Sequence, residues 1–445
     1  MNEFLHGIYD LNDTEMDEYN RNVMLGGGTP GPCIVGGKGV RVTDSAGKRY
    51  IDCTSQSWAL YLGFANDEIT ETVHEHMRNM SHIHQGFTTK PRASLANRLA
   101  SIAPPGMSRV SFTVGGSPAI EAAMKIACKN VDDAHQFIVL WDAYHGTTMS
   151  VIGSSWVTSR ASGRFMGNLD FINGVGKNFV KVPNPYCYRC PFGKTCETCS
   201  VECAEFMRQT FLRGTIGPVA GVIMEVVQAS GGQIIAPLKY VRRVREICDE
   251  FGCLLIFDEI QTYMRIGDYF AATLYGVTPD VIVLGKALGA GLPIAAIIIR
   301  DGLKGFSMRA EELHTFANNS ASQIAAIKLI DIIERDKLLD NTRETGAYLK
   351  QRLEELSRDF PEIGDIRQIG LHIGVEMVGD PVTKKEMNED LAGKIKSIAM
   401  SKGLILGTAG FRKHILKIKP ALIVNKEECD EIAGIFADTL KTALR

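Results

Sequence analysis

Four short apolar runs, each followed by a residue able to do chemistry, constrain this chain more than any other feature. They are FIVLW (137–141), VAGVIM (219–224), LLIF (254–257) and DVIVL (280–284), with amphipathic stretches between them. Runs of this length without polar alternation suit strands buried on both faces, and strands alternating with helices build a parallel α/β sheet. One intervening helix is plain in KYVRRVREICDEFG, where Val241, Val244, Ile247 and Cys248 share a face and Gly252 follows as the C-cap. Tyr144 and His145 come after the first run, Glu225 after the second, Asp258 after the third and Lys286 after the fourth. A parallel sheet brings all of them to the edge formed by the carboxyl ends of its strands, where such sheets bind ligands. The competing reading, that strand ends are where solvent begins, fits any one of these residues better than it fits the set.

Asp258 and Lys286 both follow near-continuous apolar runs, so both belong at depth. A buried lysine must be paired or lose its charge, and the neutral amine is the nucleophile that condenses with an aldehyde. A carboxylate beside it can keep a pyridine nitrogen protonated. A Lys286 to Asp258 salt bridge is the structural alternative. Upstream, SFTVGGSPAIEAAMKIA reads as a strand, then Gly115, Gly116 and Ser117, then a helix opening with Pro118. Free N–H groups and the dipole at that helix start would hold a phosphate, and proline in the first position costs no hydrogen bond.

At 445 residues the chain exceeds one ordinary core, so a second lobe is expected. GGKGVRVTDSAGKRYIDCT reads as a β-hairpin near the start. Beyond residue 318 the texture turns helical, with Leu349, Leu353 and Leu356 at helical spacing, two candidate strands in HIGVEMV and ILKIKPALIV, and a last helix from Lys426. Lys and Arg total 49 against 51 Asp and Glu, and no basic stripe is interleaved with aromatics, so nucleic acid is not an expected partner. No apolar run reaches membrane-spanning length, and MNEFLHGIYDLNDTEMDEYN lacks the basic start and apolar core of a signal peptide. A cytoplasmic protein without membrane partners is expected, with Cys33, Cys53, Cys128, Cys248, Cys253 and Cys429 scattered along the chain and most of the cysteines reduced and in the core.

The runs DEIQT (258–262), TPDVIVLGKALGAGLPIAA (278–296) and DAYHG (142–146), together with the Gly-Ser helix start, resemble class III aminotransferases of the pyridoxal-phosphate fold-type I superfamily. The likeness continues through IGDIRQIGLHIGVEM to the last helix and so covers nearly the whole chain. It implies an α/β fold: a large, mostly parallel sheet domain over 71–318, and a smaller α+β domain assembled from 1–70 and 319–445. Pyridoxal 5'-phosphate is the implied cofactor. Lys286 would be its Schiff-base lysine and proton shuttle, Asp258 would pair with the pyridinium, and Gln261 would meet the phenolic oxygen. Tyr144 would stack on the ring with His145 beside it, and Gly116 and Ser117 would hold the phosphate. Thr315 falls where the family has a threonine reaching in from the neighbouring subunit, which implies a homodimer or a dimer of dimers.

The chain also departs from the family. Lys417 stands where many members have an arginine for the substrate carboxylate, and a lysine lacks the bidentate fork. Glu225 opens MEVVQASGG where Glu-Pro-x-x-Gly is usual, and it stays a candidate for the substrate pocket. CTSQSWALYLG aligns with a pocket loop, so Trp58 and Tyr61 would offer an apolar wall and Ser57 a hydrogen bond; core packing of both aromatics is the alternative. The oddest segment is NPYCYRCPFGKTCETCSVEC, in which Cys187, Cys190, Cys196 and Cys199 form two C-x2-C knuckles with Cys203 left over. Paired knuckles are a zinc or iron arrangement, set against reduced or reversibly oxidised thiols. The activity expected is transfer of an amino group between an amino acid or amine and a 2-oxo acid. A racemase or epimerase on the same scaffold is the alternative, and a lyase or decarboxylase comes after it. A thiol-dependent or metal-binding protein that only keeps the fold is the reading from another class, opposed by the intact set Lys286, Asp258 and Gln261.

Overall fold

In the computed structural model, which describes residues 3–24, 31–155 and 178–445, the apolar runs lie side by side in one seven-stranded sheet. Its strands are β1 (Met107–Thr113), β2 (Gln136–Leu140), β3 (Phe179–Val182), β4 (Val219–Met224), β5 (Leu254–Asp258), β6 (Val281–Leu284) and β7 (Ala295–Arg300). The spatial order is β1-β7-β6-β5-β4-β2-β3, and β7 alone runs against the others. Every residue of β4, β5 and β6 is buried, which is why these strands carry no polar alternation. One face, with Ile223, Ile256 and Val283, packs on Ile120, Ala123 and Ile126 of the helix Gly116–Asn130. The other, with Met224, Phe257 and Leu284, packs on Val241, Val244 and Ile247 of the helix Leu238–Phe251, which Gly252 ends at φ 67°.

The two ends of the chain meet in a smaller assembly. Strands Ile34–Lys38, Arg41–Asp44 and Arg49–Asp52 form an antiparallel meander, to which Leu404–Ile405 adds in parallel beside Ile51 and Asp52. A second sheet holds Ile363–Ile369, β8 (His372–Asp380) and β9 (Ile415–Ile418). The ILKIKPALIV segment is a strand only as far as Ile418, because Pro420 offers no N–H to a ladder. The helical stretch after residue 318 divides into Ser320–Arg335 and Leu338–Leu356, with Lys337 left-handed at φ 52° between them. Among the described residues no helix is long and apolar enough to cross a membrane. All eleven cysteines are free; Cys33 and Cys128 are exposed rather than in the core.

The seam between the two parts carries one strained turn. Ser55, Gln56, Ser57 and Trp58 have φ of 43°, 46°, 60° and 67°, a run of left-handed residues without a glycine. Each such residue costs roughly 1–2 kcal/mol, so the surroundings must hold the turn. Asp52 accepts hydrogen bonds from the Thr54 N–H (2.8 Å), the Thr54 hydroxyl (2.6 Å) and the Gln56 N–H (3.0 Å). The Ser55 hydroxyl donates to the Lys419 carbonyl at 2.7 Å and accepts from the buried Arg265 guanidinium at 3.0 Å. The outcome is an indole placed over β9.

Candidate active site

A cavity of about 150 Å³ opens at the carboxyl ends of β2, β4, β5 and β6, lined by Gly116, Ser117, Tyr144, His145, Glu225, Asp258, Gln261 and Lys286, with Gly146 and Ile260. These include every strand-end residue that the apolar runs singled out. At one end lies the start of the helix Gly116–Asn130, whose N-cap Gly115 contributes no side-chain cap. Its first N–H groups therefore remain available to an anion. Pro118 is the third helical residue rather than the first, a position whose N–H also lacks an intrahelical partner, so the helix loses nothing. Two glycines make room here. A Cβ on Gly116 would sit 2.9 Å from Ile260 Cδ1, and one on Gly146, where φ is 135°, would sit 2.1 Å from Ser117 Oγ.

At the other end, Asp258 Oδ2 is 2.7 Å from His145 Nδ1, and Oδ1 accepts the Ile260 N–H at 3.1 Å. Burial alone would lower the His145 pKa, but the hydrogen bond and charge of Asp258 raise it. His145 Nε2 is buried without a partner. Lys286 sits in the left-handed region at φ 47°, and among the described residues no hydrogen bond or salt bridge holds its amine. The Lys286 to Asp258 salt bridge is thus not formed. Burial lowers the Lys286 pKa, against the pull of Asp258 and Glu225. Glu225 accepts from the Tyr144 N–H at 2.9 Å and the Ala229 N–H at 3.2 Å, and burial pushes its carboxyl up.

The remaining expected residues fall in three places. Trp58 and Lys417 adjoin the site: the Lys417 amine lies 4.1 Å from the indole centroid, and Ser57 belongs to the same left-handed turn. Tyr61 is no pocket wall. It is wholly buried, donates its hydroxyl to the Tyr263 carbonyl at 2.7 Å and stacks under Arg265, so core packing claims it. Thr315 is exposed and is not among the residues lining this cavity.

The cysteine segment lies apart. Cys187, Cys190, Cys196, Cys199 and Cys203 surround a separate small cavity, yet among the described residues no group of three or more His, Cys, Asp or Glu could hold a metal ion. The two knuckles are thus not brought together as a metal-holding group among the described residues. In the metal-free protein, desolvation and neighbouring thiols push Cys187 up to about 12, and burial pushes Cys203 up to about 12, so these two are thiols rather than thiolates. Protein purified without chelator is expected to carry only substoichiometric zinc and iron by elemental analysis. Stoichiometric metal lost in Cys187→Ser would refute this.

The donor set fits one cofactor. Free N–H groups behind obligatory glycines suit a phosphate, a buried carboxylate suits a protonated pyridine nitrogen, and an unpaired, desolvated lysine suits an aldehyde. With these on the carboxyl edge of a mostly parallel sheet, the fold and site define a pyridoxal-phosphate enzyme of fold type I. The family model described as aminotransferase class-III matches residues 28–440. A leucine/methionine racemase of Thermococcus litoralis is 33% identical over 403 residues, 88% of this chain and 87% of that one. An adenosylmethionine-8-amino-7-oxononanoate aminotransferase of Geobacter sulfurreducens is 31% identical over 432 residues, 92% of each. The crystal structure of a Bacillus anthracis aminotransferase superposes with a TM-score of 0.88 at 26% identity, covering 97% of this chain and 100% of that one. The chain belongs to the class III aminotransferase family and is a pyridoxal-phosphate-dependent aminotransferase.

Three residues near the site escaped the sequence reading: Arg265, His372 and Lys419, each fully buried. Lys419 had a signal. In ILKIKP the period of two puts Lys417 and Lys419 on one face of an otherwise apolar strand.

Proposed function

We propose that the chain moves an amino group from an amino acid or amine to a 2-oxo acid, with Lys286 as the covalent attachment point and proton carrier. The observation that supports this best is the Lys286 amine, half-buried and unpaired among the described residues, opening on the same cavity as Asp258 and the Gly116–Ser117 helix start. Bound there, pyridoxal phosphate would supply a protonated ring that draws electron density from the substrate carbon being deprotonated. Gly116 and Ser117 would orient it by its phosphate, Tyr144 and His145 would pack on it, and Gln261 would donate to its phenolic oxygen. Asp258, oriented by His145, would keep the ring nitrogen protonated. Lys286 Nζ would take the proton from the substrate Cα and return it elsewhere. Glu225, Ser57 and Trp58 would border the substrate, and Thr315 of a second copy would complete the site in a homodimer. Free thiols throughout suit a cytoplasmic setting. A screen of amino donors with pyruvate or 2-oxoglutarate tests the reading: keto-acid formation only with an acceptor supports it, and loss of optical activity without an acceptor favours racemisation.

Racemisation is the second reading, favoured by the racemase relative. It differs only in where the proton is returned.

Lys417 would hold a substrate carboxylate, and its titration gives a signed expectation. Burial lowers its pKa to about 7, helped by Lys286 and Lys396 and opposed by Glu225. The charged form binds a carboxylate, so KM is expected to be lowest below pH 7 and to rise as pH climbs through that value, approaching about tenfold per pH unit. In Lys417→Arg the guanidinium stays charged, so the rise should vanish. KM profiles from pH 6 to 9 for both forms decide; parallel profiles would remove Lys417 from carboxylate binding.

A further inference from the structure

Lys419 lies just beyond β9, where its backbone closes the seam: its N–H donates to the Cys53 carbonyl at 2.9 Å and its carbonyl accepts the Ser55 hydroxyl. Its side chain runs the other way, into the protein, and is completely buried. Among the described residues no salt bridge neutralises it. The amine sits 4.5 Å from the Trp58 ring centroid, 3.3 Å from Gln261 Oε1 and 3.1 Å from His372 Nε2. The charged and titratable groups around it are His372 from β8, Lys417 from β9, Arg265 from the turn after β5, and Lys286 and Glu225 across the cavity. Burial and the cations among these lower its pKa; the amine has N–H groups to donate in either charge state, and with the His372 Nε2–H donating to the lone pair of the neutral form, only N–H groups are left for Gln261.

A glutamine amide has two chemically opposite ends: the oxygen only accepts and the nitrogen only donates. Shape hardly distinguishes the two orientations, so the choice is made by hydrogen-bond partners. At Gln261 the partner is Lys419, which occupies Oε1 and leaves the NH2 group for the cavity that Gln261 lines. We propose that Lys419 is a positioning residue that sets the orientation of the Gln261 amide, so that its N–H, and not its carbonyl, faces the phenolic oxygen of bound pyridoxal phosphate. An N–H aimed at that oxygen favours its deprotonated form; a reversed amide would present lone pairs and favour the protonated form. The inference rests on the role proposed for Gln261 and goes beyond it by naming what holds the amide.

The test reads the absorption spectrum of the reconstituted holoenzyme against pH, without substrate, and takes the midpoint of the cofactor's spectral transition. Gln261→Ala and Lys419→Met are each expected to raise the midpoint by about one pH unit, a tenfold change in proton affinity. The double variant should go no higher than Gln261→Ala alone, and Lys419→Gln, which can still donate to Gln261, should return close to wild type. If Gln261→Ala shifts the midpoint and Lys419→Met does not, or if the two shifts add, the positioning role is wrong while the role of Gln261 stands. If Gln261→Ala leaves the midpoint unchanged, the role of Gln261 fails and the positioning role falls with it. Loss of a cooperative melting transition in both Lys419 variants would make Lys419 a packing residue of the seam and also overturn the proposal.

Discussion

Lys286→Ala is expected to lower kcat by on the order of 10⁴-fold or more, because both the covalent anchor and the proton carrier are lost. The same substitution should leave the fold intact. Among the described residues the Lys286 amine has no hydrogen bond or salt bridge to lose, while Asp258 keeps His145 and the Ile260 N–H, so no buried charge is orphaned. Removing a desolvated amine of this kind is neutral or mildly stabilising, unlike breaking a buried ion pair. Alanine in the left-handed region at φ 47° is no worse placed than lysine, since both carry a Cβ. Borohydride treatment of the loaded protein followed by peptide mass analysis separates the chemistry from the fold. The wild type should acquire cofactor mass on the peptide containing Lys286, and the variant should acquire none anywhere while keeping its melting temperature. Labelling of another lysine, such as Lys417, would show that the anchor had been misassigned.

That expectation could be framed from the sequence because Lys286, Asp258 and Glu225 each follow a strand buried on both faces. Such strands are near-continuous apolar runs, and the first polar residue after them marks the sheet edge. The strands that escaped notice are those that break the pattern. FVKV in β3 lies at an edge and carries a lysine, and β7, the antiparallel strand, follows a glycine-rich loop that had drawn attention only as part of a motif. Pro118 was placed two positions early because Gly116 and Ser117 belong to the helix despite poor helix propensity; the close packing of Gly116 on Ile260 overrides it.

The substrate side was less legible because its geometry comes from distant contacts. Nothing in TSQSWA announces four left-handed residues without a glycine. Asp52, Arg265 and Lys419 impose the turn from three directions, and two of those residues lie more than two hundred positions along the chain. Tyr61 was open to two readings for the same reason: only the fold shows that Tyr263 and Arg265 claim it. The cysteine segment shows the converse error. Its spacing is metal-like, but spacing carries no information about where the side chains point, and among the described residues the five thiols do not converge as a metal-holding group.

Asp258→Asn should cost about 10³-fold in kcat, the scale of a lost, preorganised charge in a water-poor site. It should also leave a signature in the protein without cofactor. His145 is buried against Asp258, and its folded-state pKa is raised. A raised histidine pKa stabilises the fold below the unfolded value near 6.5, and that contribution fades as pH climbs through the folded value. With asparagine at 258 the carboxylate is gone and burial, the largest influence, is opposed only by the weaker pull of Glu225, so the imidazole pKa falls below its unfolded value. The unfolded chain then binds the extra proton, and stability declines as pH drops below about 6.5, by about 1.4 kcal/mol per pH unit until the lowered pKa is reached. Denaturant melts of wild type and variant at pH 8, 6.5 and 5.5 should therefore diverge toward acid, with the variant falling faster. Parallel loss in both proteins would mean that the Asp258 carboxylate does not hold the His145 proton. A variant with normal kcat would remove Asp258 from the chemistry.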